Sequence, residues 1–234
     1  MKRYAVALAL VLGTLPLAAD QFRNLGFEEA NTNTSTLYPQ SGGLFPYLAG
    51  FGPVADLLPG WQLSYGTSSQ SQMSFNSDSW PFASSAGILE SSFRILGFPI
   101  TGNYALELSI APSPRGEPIS ISQTGLIPPD AQFLTWTQSL SSVDLTASVN
   151  GTDLTFAGGD RLRNPYFDVS QFAGQEVSLS ILYNYRGVLG ASVVIDKIEF
   201  MTIPEPTFWQ LSGFGSAGTL LSYGLSRWRR LRSR

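Results

Sequence analysis

Two residue types on which many protein sites depend are missing from this sequence. Its 234 residues contain no cysteine and no histidine. Without cysteine the chain can form no disulfide and can hold no thiolate metal centre or redox pair. Without histidine it has no Ser-His or Cys-His dyad, no H-E-x-x-H zinc site and no imidazole base. An enzyme built on this chain would have to use carboxylates, as glycosidases do, or a Lys or Tyr base.

Charge is also scarce, because only 13% of the residues are charged while 43% are hydrophobic. Globular proteins usually have about a quarter of their residues charged, so Ser, Thr, Asn, Gln and Gly must form much of this surface. Residues 20–203 contain 16 acidic and 7 basic residues, a net charge of −9. Such a body repels phosphates, so we predict no nucleic-acid partner.

The N-terminus has the three parts of a secretory signal peptide. Lys2 and Arg3 precede an apolar stretch over residues 4–17, and the small residues Ala18 and Ala19 follow. A basic start, a short apolar core and a small-residue cleavage point predict a signal peptide over residues 1–19 and export through the secretion translocon. A retained membrane anchor or a buried helix is the alternative.

A second uncharged stretch lies near the C-terminus. Residues 208–225 carry no charge, and 18 residues of helix span about 27 Å, close to the hydrocarbon thickness of a bilayer. Five arginines follow and are expected to stay cytoplasmic, which places the body across the membrane. They are Arg227, Arg229, Arg230, Arg232 and Arg234. A plain tail anchor, or a core helix with a basic nucleic-acid tail, is the alternative.

The order of motif, apolar run and arginines resembles a known sorting signal. Pro204-Glu205-Pro206-Thr207 precedes the apolar run, and the whole of residues 203–234 resembles the PEP-CTERM signal of Gram-negative bacteria. The resemblance implies that an exosortase in the inner membrane removes this segment and that the body passes to the cell surface or extracellular matrix. The expected division is therefore a signal peptide (1–19), a body (20–202) and a sorting signal (203–234).

The body has the pattern of an all-β protein. Apolar and polar residues alternate in short runs without helical periodicity, which predicts strands. These runs are 104–110, 119–122, 133–138, 143–149, 177–183 and 191–201. Asn150-Gly151 and Gly158-Gly159 are expected to be turns, whereas 31–53 and 64–80 are expected to be loops or edge strands. The spacing predicts a single β-sandwich.

Several phrases in the body resemble one sandwich family. NLGFEE (24–29), LPGW (58–61), DVSQFAGQEVSLSI (168–181) and VVIDKIEF (193–200) resemble the galactose-binding-like jelly roll of carbohydrate-binding modules. The resemblance implies a jelly-roll sandwich in which the first and last strands lie together.

Asp196 is the acidic residue that the pattern singles out. Three apolar residues of the last predicted strand share its parity, so its carboxyl group is expected to point inward. They are Val194, Ile198 and Phe200. A buried charge needs a partner. One hypothesis is a structural Ca²⁺ held by Asp196 and by Glu28 of the first strand, as in the binding modules that the body resembles. The alternative is that Asp196 accepts backbone N–H bonds or pairs with Arg23.

The remaining candidates concern glycans and catalysis. Trp61 and Trp136 are expected in the core, whereas Trp80, in a polar segment, is the candidate for stacking on a sugar. No pair of carboxylates stands out as a glycosidase pair, so we expect no enzymatic activity. The leading hypothesis is an exported structural or adhesive component of exopolysaccharide or biofilm. A polysaccharide-recognising carbohydrate-binding module and a small glycoside-active enzyme are the alternatives.

Overall fold

The computed structural model describes residues 20–40, 47–76, 84–92, 98, 100–112, 116–139, 145–185 and 190–202. The predicted signal peptide, the sorting signal with its arginines, and Trp80 lie outside these ranges. All described elements belong to the unit formed by residues 1–200, apart from Met201 at the end of the last strand. Among the described residues, no helix has the length and apolarity needed to cross a bilayer.

The described chain is mostly strand. Its strands are β1 Thr36–Gln40, β2 Tyr47–Pro53, β3 Gln62–Tyr65, β4 Ser68–Gln70, β5 Gln72–Phe75, β6 Ser85–Glu90, β7 Tyr104–Ile110, β8 Ile119–Leu126, β9 Phe133–Gln138, β10 Leu145–Val149, β11 Thr152–Asp153, β12 Phe156–Asp160, β13 Asn164–Asp168, β14 Glu176–Tyr183 and β15 Ala191–Met201. In the described ranges, helical structure is limited to α1 Val54–Leu57 and the 3-10 turns Thr32–Thr34 and Ser170–Phe172. The prediction of an all-β body is confirmed.

The strands form two sheets. The large sheet has the order β1-β2-β5-β6-β7-β15-β9-β13-β12, and the small sheet has the order β11-β10-β14-β8-β3-β4. β5 and β6 pair in parallel, whereas the other pairs with a defined register, such as β8 with β14, are antiparallel. The final strand therefore lies inside the large sheet, between β7 and β9.

One hydrophobic core joins the two sheets. Ile121 and Leu179 of the small sheet belong to the same buried cluster as Leu108, Trp136 and Ile195 of the large sheet. Full burial of an aliphatic side chain contributes about 1.5–3 kcal/mol, so this shared core is the main stabilising contact between the sheets. A direct hydrogen bond adds to it, because the Tyr65 hydroxyl on β3 accepts the Ala86 N–H on β6 at 2.8 Å.

Regular alternation predicted several strands closely. The expected runs 104–110, 133–138 and 191–201 coincide with β7, β9 and β15. Asn150 and Gly151 form the expected tight turn between β10 and β11, with φ of 51° and 77°. Two left-handed residues in succession are what a type I′ hairpin requires.

Two expectations about loops were wrong. Gly158-Gly159 does not form a turn but lies within β12, where the register against β13 shifts, and the chain reverses at residues 161–163 instead. The segments 31–53 and 64–80 do contain edge strands, β1 and β4, but β2 and β5 lie inside the large sheet. β2 was not predicted as an inner strand because Gly50 and Gly52 have no side chains, so its sequence shows no alternation of apolar and polar residues.

The first strand, β1, does not lie beside the last strand as the resemblance implied, because it is at the edge of the large sheet. The segment before β1 does lie beside the last strand. The Ile198 N–H donates to the Leu25 carbonyl at 3.0 Å, and the rings of Phe22 and Phe200 are 5.3 Å apart. However, Glu28 does not lie in a strand as expected, because the chain turns around it. Asn24 shapes this turn, since its side-chain oxygen accepts the Glu29 N–H at 2.9 Å.

Candidate functional site

The last strand carries a buried acidic residue. Val193 and Ile195 point into the core between the sheets, whereas Val194 packs on the opposite side of the large sheet in a second cluster with Leu89 and Ala105. Asp196 follows Val194 by two residues and is only 1% exposed. Its burial agrees with the prediction, but its side chain lies on the Val194 side of the sheet and not in the main core.

A backbone irregularity next to Asp196 explains this difference. Lys197 has a φ of 53°, a left-handed conformation that is uncommon outside glycine. The strand alternation breaks there, so Ile198 joins the main core although a regular strand would have placed it beside Asp196. The expectation that Ile198 shares the Asp196 side was therefore wrong. The Lys197 side chain is exposed, with its Nζ 3.5 Å from a Glu199 carboxylate oxygen.

The Asp196 carboxyl group is only partly satisfied by the protein. Its Oδ2 accepts the Thr101 N–H at 2.6 Å, whereas its Oδ1 is buried and makes no hydrogen bond with any described residue. Burial raises the pKa of Asp196 above its ordinary value. The backbone N–H groups of Thr101 and Lys197 lower this pKa in part, and the negative charge of nearby Glu28 raises it. An unpaired carboxylate oxygen in such a place is costly.

Glu28 is held by the turn that also binds Asp196. Its carboxylate accepts the Asn103 N–H at 2.9 Å and the Tyr104 N–H at 3.3 Å, and the Asn103 side-chain amide donates to it at 3.0 Å. Residues Thr101–Tyr104, here named the carboxylate turn, therefore bind both acidic side chains through backbone N–H groups. Charge-assisted bonds of this kind are stronger than those between neutral groups.

Gly102 is required at the centre of the carboxylate turn. Its φ is +88°, and a Cβ there would lie 2.3 Å from Glu28 Oε1. Any other residue would be strained in its backbone and would displace the Glu28 carboxylate. The sequence analysis missed this turn, and its signal in the sequence was only a lone glycine between polar residues.

The two acidic side chains of this site have oxygen atoms, the ligand type of a hard cation. Ca²⁺ takes six to eight such ligands, but both Glu28 oxygens already accept hydrogen bonds from Asn103 and Tyr104, so Asp196 Oδ1 is the one carboxylate oxygen of the pair without a partner among the described residues. Among the described residues, no group of three or more His, Cys, Asp or Glu side chains is placed so that it could hold a metal ion, so backbone carbonyls and waters would have to complete the shell. The predicted Ca²⁺ at Glu28 and Asp196 remains a hypothesis that the donor types allow.

The alternative roles weighed for Asp196 can now be compared. It does accept a backbone N–H, from Thr101, as one alternative expected. Arg23, the expected charge partner, instead forms a 2.7 Å salt bridge with Glu29. Both observations leave the Asp196 Oδ1 without a protein partner among the described residues.

The described tryptophans are core residues, as predicted. Trp61 and Trp136 are 4% and 1% exposed. Their ring N–H groups donate to the Asn24 carbonyl at 3.3 Å and to the Gln138 side-chain oxygen at 2.7 Å, so neither is available to a sugar. Trp80, the candidate for sugar stacking, lies outside the described residues.

The comparisons with known proteins leave the identity of the chain open. No protein-family model and no curated protein matches it. A solved structure with some similarity is the enzymatically active domain of tailspike protein 4 from bacteriophage CBA120, at 10% identity and a TM-score of 0.36. That match covers 62% of this chain but spans only 19% of the tailspike chain. A TM-score of this size carries no argument about fold or function.

Proposed function

We propose that the protein is an exported, non-enzymatic component of the cell surface or extracellular matrix of a Gram-negative bacterium, with a structural or adhesive role in exopolysaccharide or biofilm. A signal peptide over 1–19 directs the chain to the translocon. Residues 203–234 hold the precursor in the inner membrane until an exosortase removes them. The two-sheet body between them is a jelly roll of the galactose-binding-like kind.

The observation that carries this proposal is the pairing of the two chain ends. A basic and apolar N-terminus is joined to a C-terminus that reads Pro-Glu-Pro-Thr, an uncharged run of 18 residues and five arginines. An uncharged segment that is long enough to cross the lipid bilayer and is followed by cationic residues stays in the membrane, with its basic end in the cytoplasm. The end of β15 at Met201, three residues before Pro204, fits a body that is complete before the sorting signal begins.

Three of the described carboxylates are bound by groups of nearby turns. A glycosidase needs two carboxylates that reach the scissile bond from either side. Glu28 and Asp196 do come together, but Asp196 is only 1% exposed and both are bound to the carboxylate turn. Asp168 serves a turn as well, because the Ser170 hydroxyl and N–H donate to it and lower its pKa. In this proposal the Glu28 and Asp196 pair holds a structural Ca²⁺.

Mass spectrometry of the protein from membrane, medium and cytosol of its host tests the proposal. We expect a mature N-terminus close to Asp20 and a C-terminus near Pro204 in the material outside the cell. Glu205→Ala breaks the motif and should leave the tail uncut in the inner membrane. Thr207→Ser, which keeps the motif, should be processed normally.

Two results would contradict the proposal. One is the full-length chain, uncut at both ends, in the cytosol of the host. The other is processing of the Glu205→Ala chain at the same rate as the natural chain, because the Pro-Glu-Pro motif would then have no part in sorting.

A further inference from the structure

The small sheet presents rows of side-chain hydroxyls on one face. In one row, Ser64, Ser120, Leu182 and Thr146 are aligned on four neighbouring strands. In the next row, Gln62, Ser122, Ser180 and Ser148 are aligned on the same strands. The hydroxyl face is defined here by six of these residues, Ser64, Ser120, Ser122, Thr146, Ser148 and Ser180.

These hydroxyls point away from the core. Along β8 and β14 they alternate with Ile121 and Leu179, which are fully buried between the sheets. Successive side chains of a strand point to opposite faces, so the six hydroxyls lie on the outside of the small sheet. Thr146 is exposed and the five serines are half-buried. None of the six hydroxyls hydrogen-bonds to another group in the described part of the chain.

Sheet stability does not account for this composition. The residues enriched in strands are β-branched and aromatic, whereas five of these six positions are serine. Their hydroxyls also form no hydrogen bonds with the described residues that would explain them. The outer side of the large sheet differs, because Phe98 and Ile100 pack there over the cluster of Leu89, Ala105 and Val194.

The absence of charge narrows the class of ligand. The two rows contain no charged residue, and the first charge beside them, Asp153, is on the edge strand β11. A body with a net charge of −9 repels nucleic acids and polyanions. Serine is depleted at protein interfaces, and membrane-binding surfaces need apolar and basic side chains. An uncharged, hydroxyl-rich polymer matches this face in both charge and hydrogen-bonding groups.

We propose that the hydroxyl face binds an uncharged polysaccharide, and this inference rests on the function proposed above. Strands are about 4.8 Å apart and alternate residues of one strand about 6.8 Å apart, so the hydroxyls form a regular grid. Each hydroxyl offers one donor and two acceptors, as the hydroxyls of a sugar do. The hydroxyl face binds the polymer through many weak hydrogen bonds, and no aromatic side chain of this face stacks on the sugar rings.

Gel electrophoresis through immobilised polysaccharide tests this binding. The full-length protein, kept in mild detergent, is run in gels that contain dextran, agarose or the anionic polymer alginate, and in a gel without polymer. The natural protein should be retarded by at least one of the two neutral polymers and not by alginate. Replacement of Ser120, Ser122 and Ser180 by alanine should weaken that retardation at least tenfold.

A matched variant tests whether binding depends on the hydroxyl groups or only on a change of side chain at these positions. Threonine at the same three positions keeps the hydroxyl groups and suits a strand, so this variant should bind within threefold of the natural protein. Ser122→Glu alone puts one charge at the centre of the face and should also lose binding. Circular dichroism and the unfolding midpoint verify that each variant is folded.

The proposal is overturned if the alanine and glutamate variants bind as well as the natural protein. It is also overturned if neither neutral polymer retards the natural protein, or if only alginate does. Export is measured separately by mass spectrometry of the same variants. Normal sorting with unchanged binding refutes the hydroxyl face alone, whereas an uncut cytosolic chain refutes the proposed function.

Discussion

Replacement of Asp196 by asparagine gives the sharpest test of the candidate cation site. Asparagine has the shape of aspartate and can still accept the Thr101 N–H, which is 2.6 Å from the carboxylate. It removes the negative charge and the anionic oxygen that no described residue satisfies. The substitution therefore removes the charge that a cation needs and disturbs the surrounding packing little.

The expected size of the effect follows from binding linkage. Ca²⁺ at about 100 times its Kd would stabilise the folded state by about 2.7 kcal/mol. In a domain of about 150–250 residues, 1 kcal/mol shifts the unfolding midpoint by about 2–4 °C. The natural protein should thus unfold about 5–11 °C higher in Ca²⁺ than in EDTA at pH 7, and Asp196→Asn should show no such increase.

In EDTA the natural protein and Asp196→Asn should have similar unfolding midpoints. An unpaired buried amide costs about 1–3 kcal/mol, but removal of a buried charge next to Glu28 offsets part of this. Calorimetry of the full-length protein measures both midpoints, with Asp130→Asn as the control because Asp130 is an exposed acid in a turn. The reasoning is refuted if Ca²⁺ leaves the natural protein unchanged, or if it raises the midpoint of Asp196→Asn equally.

The pH dependence has a definite sign. The pKa of Asp196 is raised in the folded state because the carboxyl group is buried beside Glu28. The folded state therefore holds this proton more tightly than the unfolded state, and stability in EDTA falls as pH rises from the ordinary value of 3.8 through the folded pKa. Ca²⁺ binds the deprotonated form, so its stabilisation grows with pH. Asp196→Asn should remove both of these contributions from midpoints measured between pH 4 and 8.

Two further substitutions probe how the fold supports the site. Tyr65→Phe removes the hydroxyl that accepts the Ala86 N–H between the sheets. Denaturant unfolding should show that the free energy of unfolding falls by about 1–2 kcal/mol. An unchanged free energy would mean that this hydrogen bond does not contribute to stability. Gly102→Ala should lower the free energy of unfolding by at least about 2 kcal/mol, because it strains the backbone and breaks hydrogen bonds to Glu28. It should also reduce the rise of the unfolding midpoint in Ca²⁺. Gly151→Ala is its control, because Gly151 also has a positive φ of 77° but open space around it; equal losses in the two variants would contradict the role of Glu28.

The sequence predicted those strands in which alternation and burial agree. β7, β9 and β15 alternate or are continuously apolar, and their expected bounds were correct. β2 was not recognised because Gly50 and Gly52 interrupt its alternation of apolar and polar side chains. Its position inside the sheet depends on pairing with β1 and β5, and such partners cannot be deduced from the strand itself.

The candidate site was predictable only in part for a similar reason. A charged residue in an apolar strand identified Asp196, and its burial follows from that pattern. The carboxylate turn was not predicted, because it acts through backbone N–H groups that lie 95 residues from Asp196 and 75 residues from Glu28. The left-handed conformation of Lys197 was also missed, since a positive φ at lysine has no local sequence signal.

The position of β15 links the fold to the proposed export route. This strand lies between β7 and β9, so the two halves of the large sheet are joined only when the last residues of the body are in place. A chain that crosses a membrane from its N-terminus exposes β15 last. In the proposed export route the large sheet is therefore completed last, when Asp196 and Glu28 both bind the carboxylate turn.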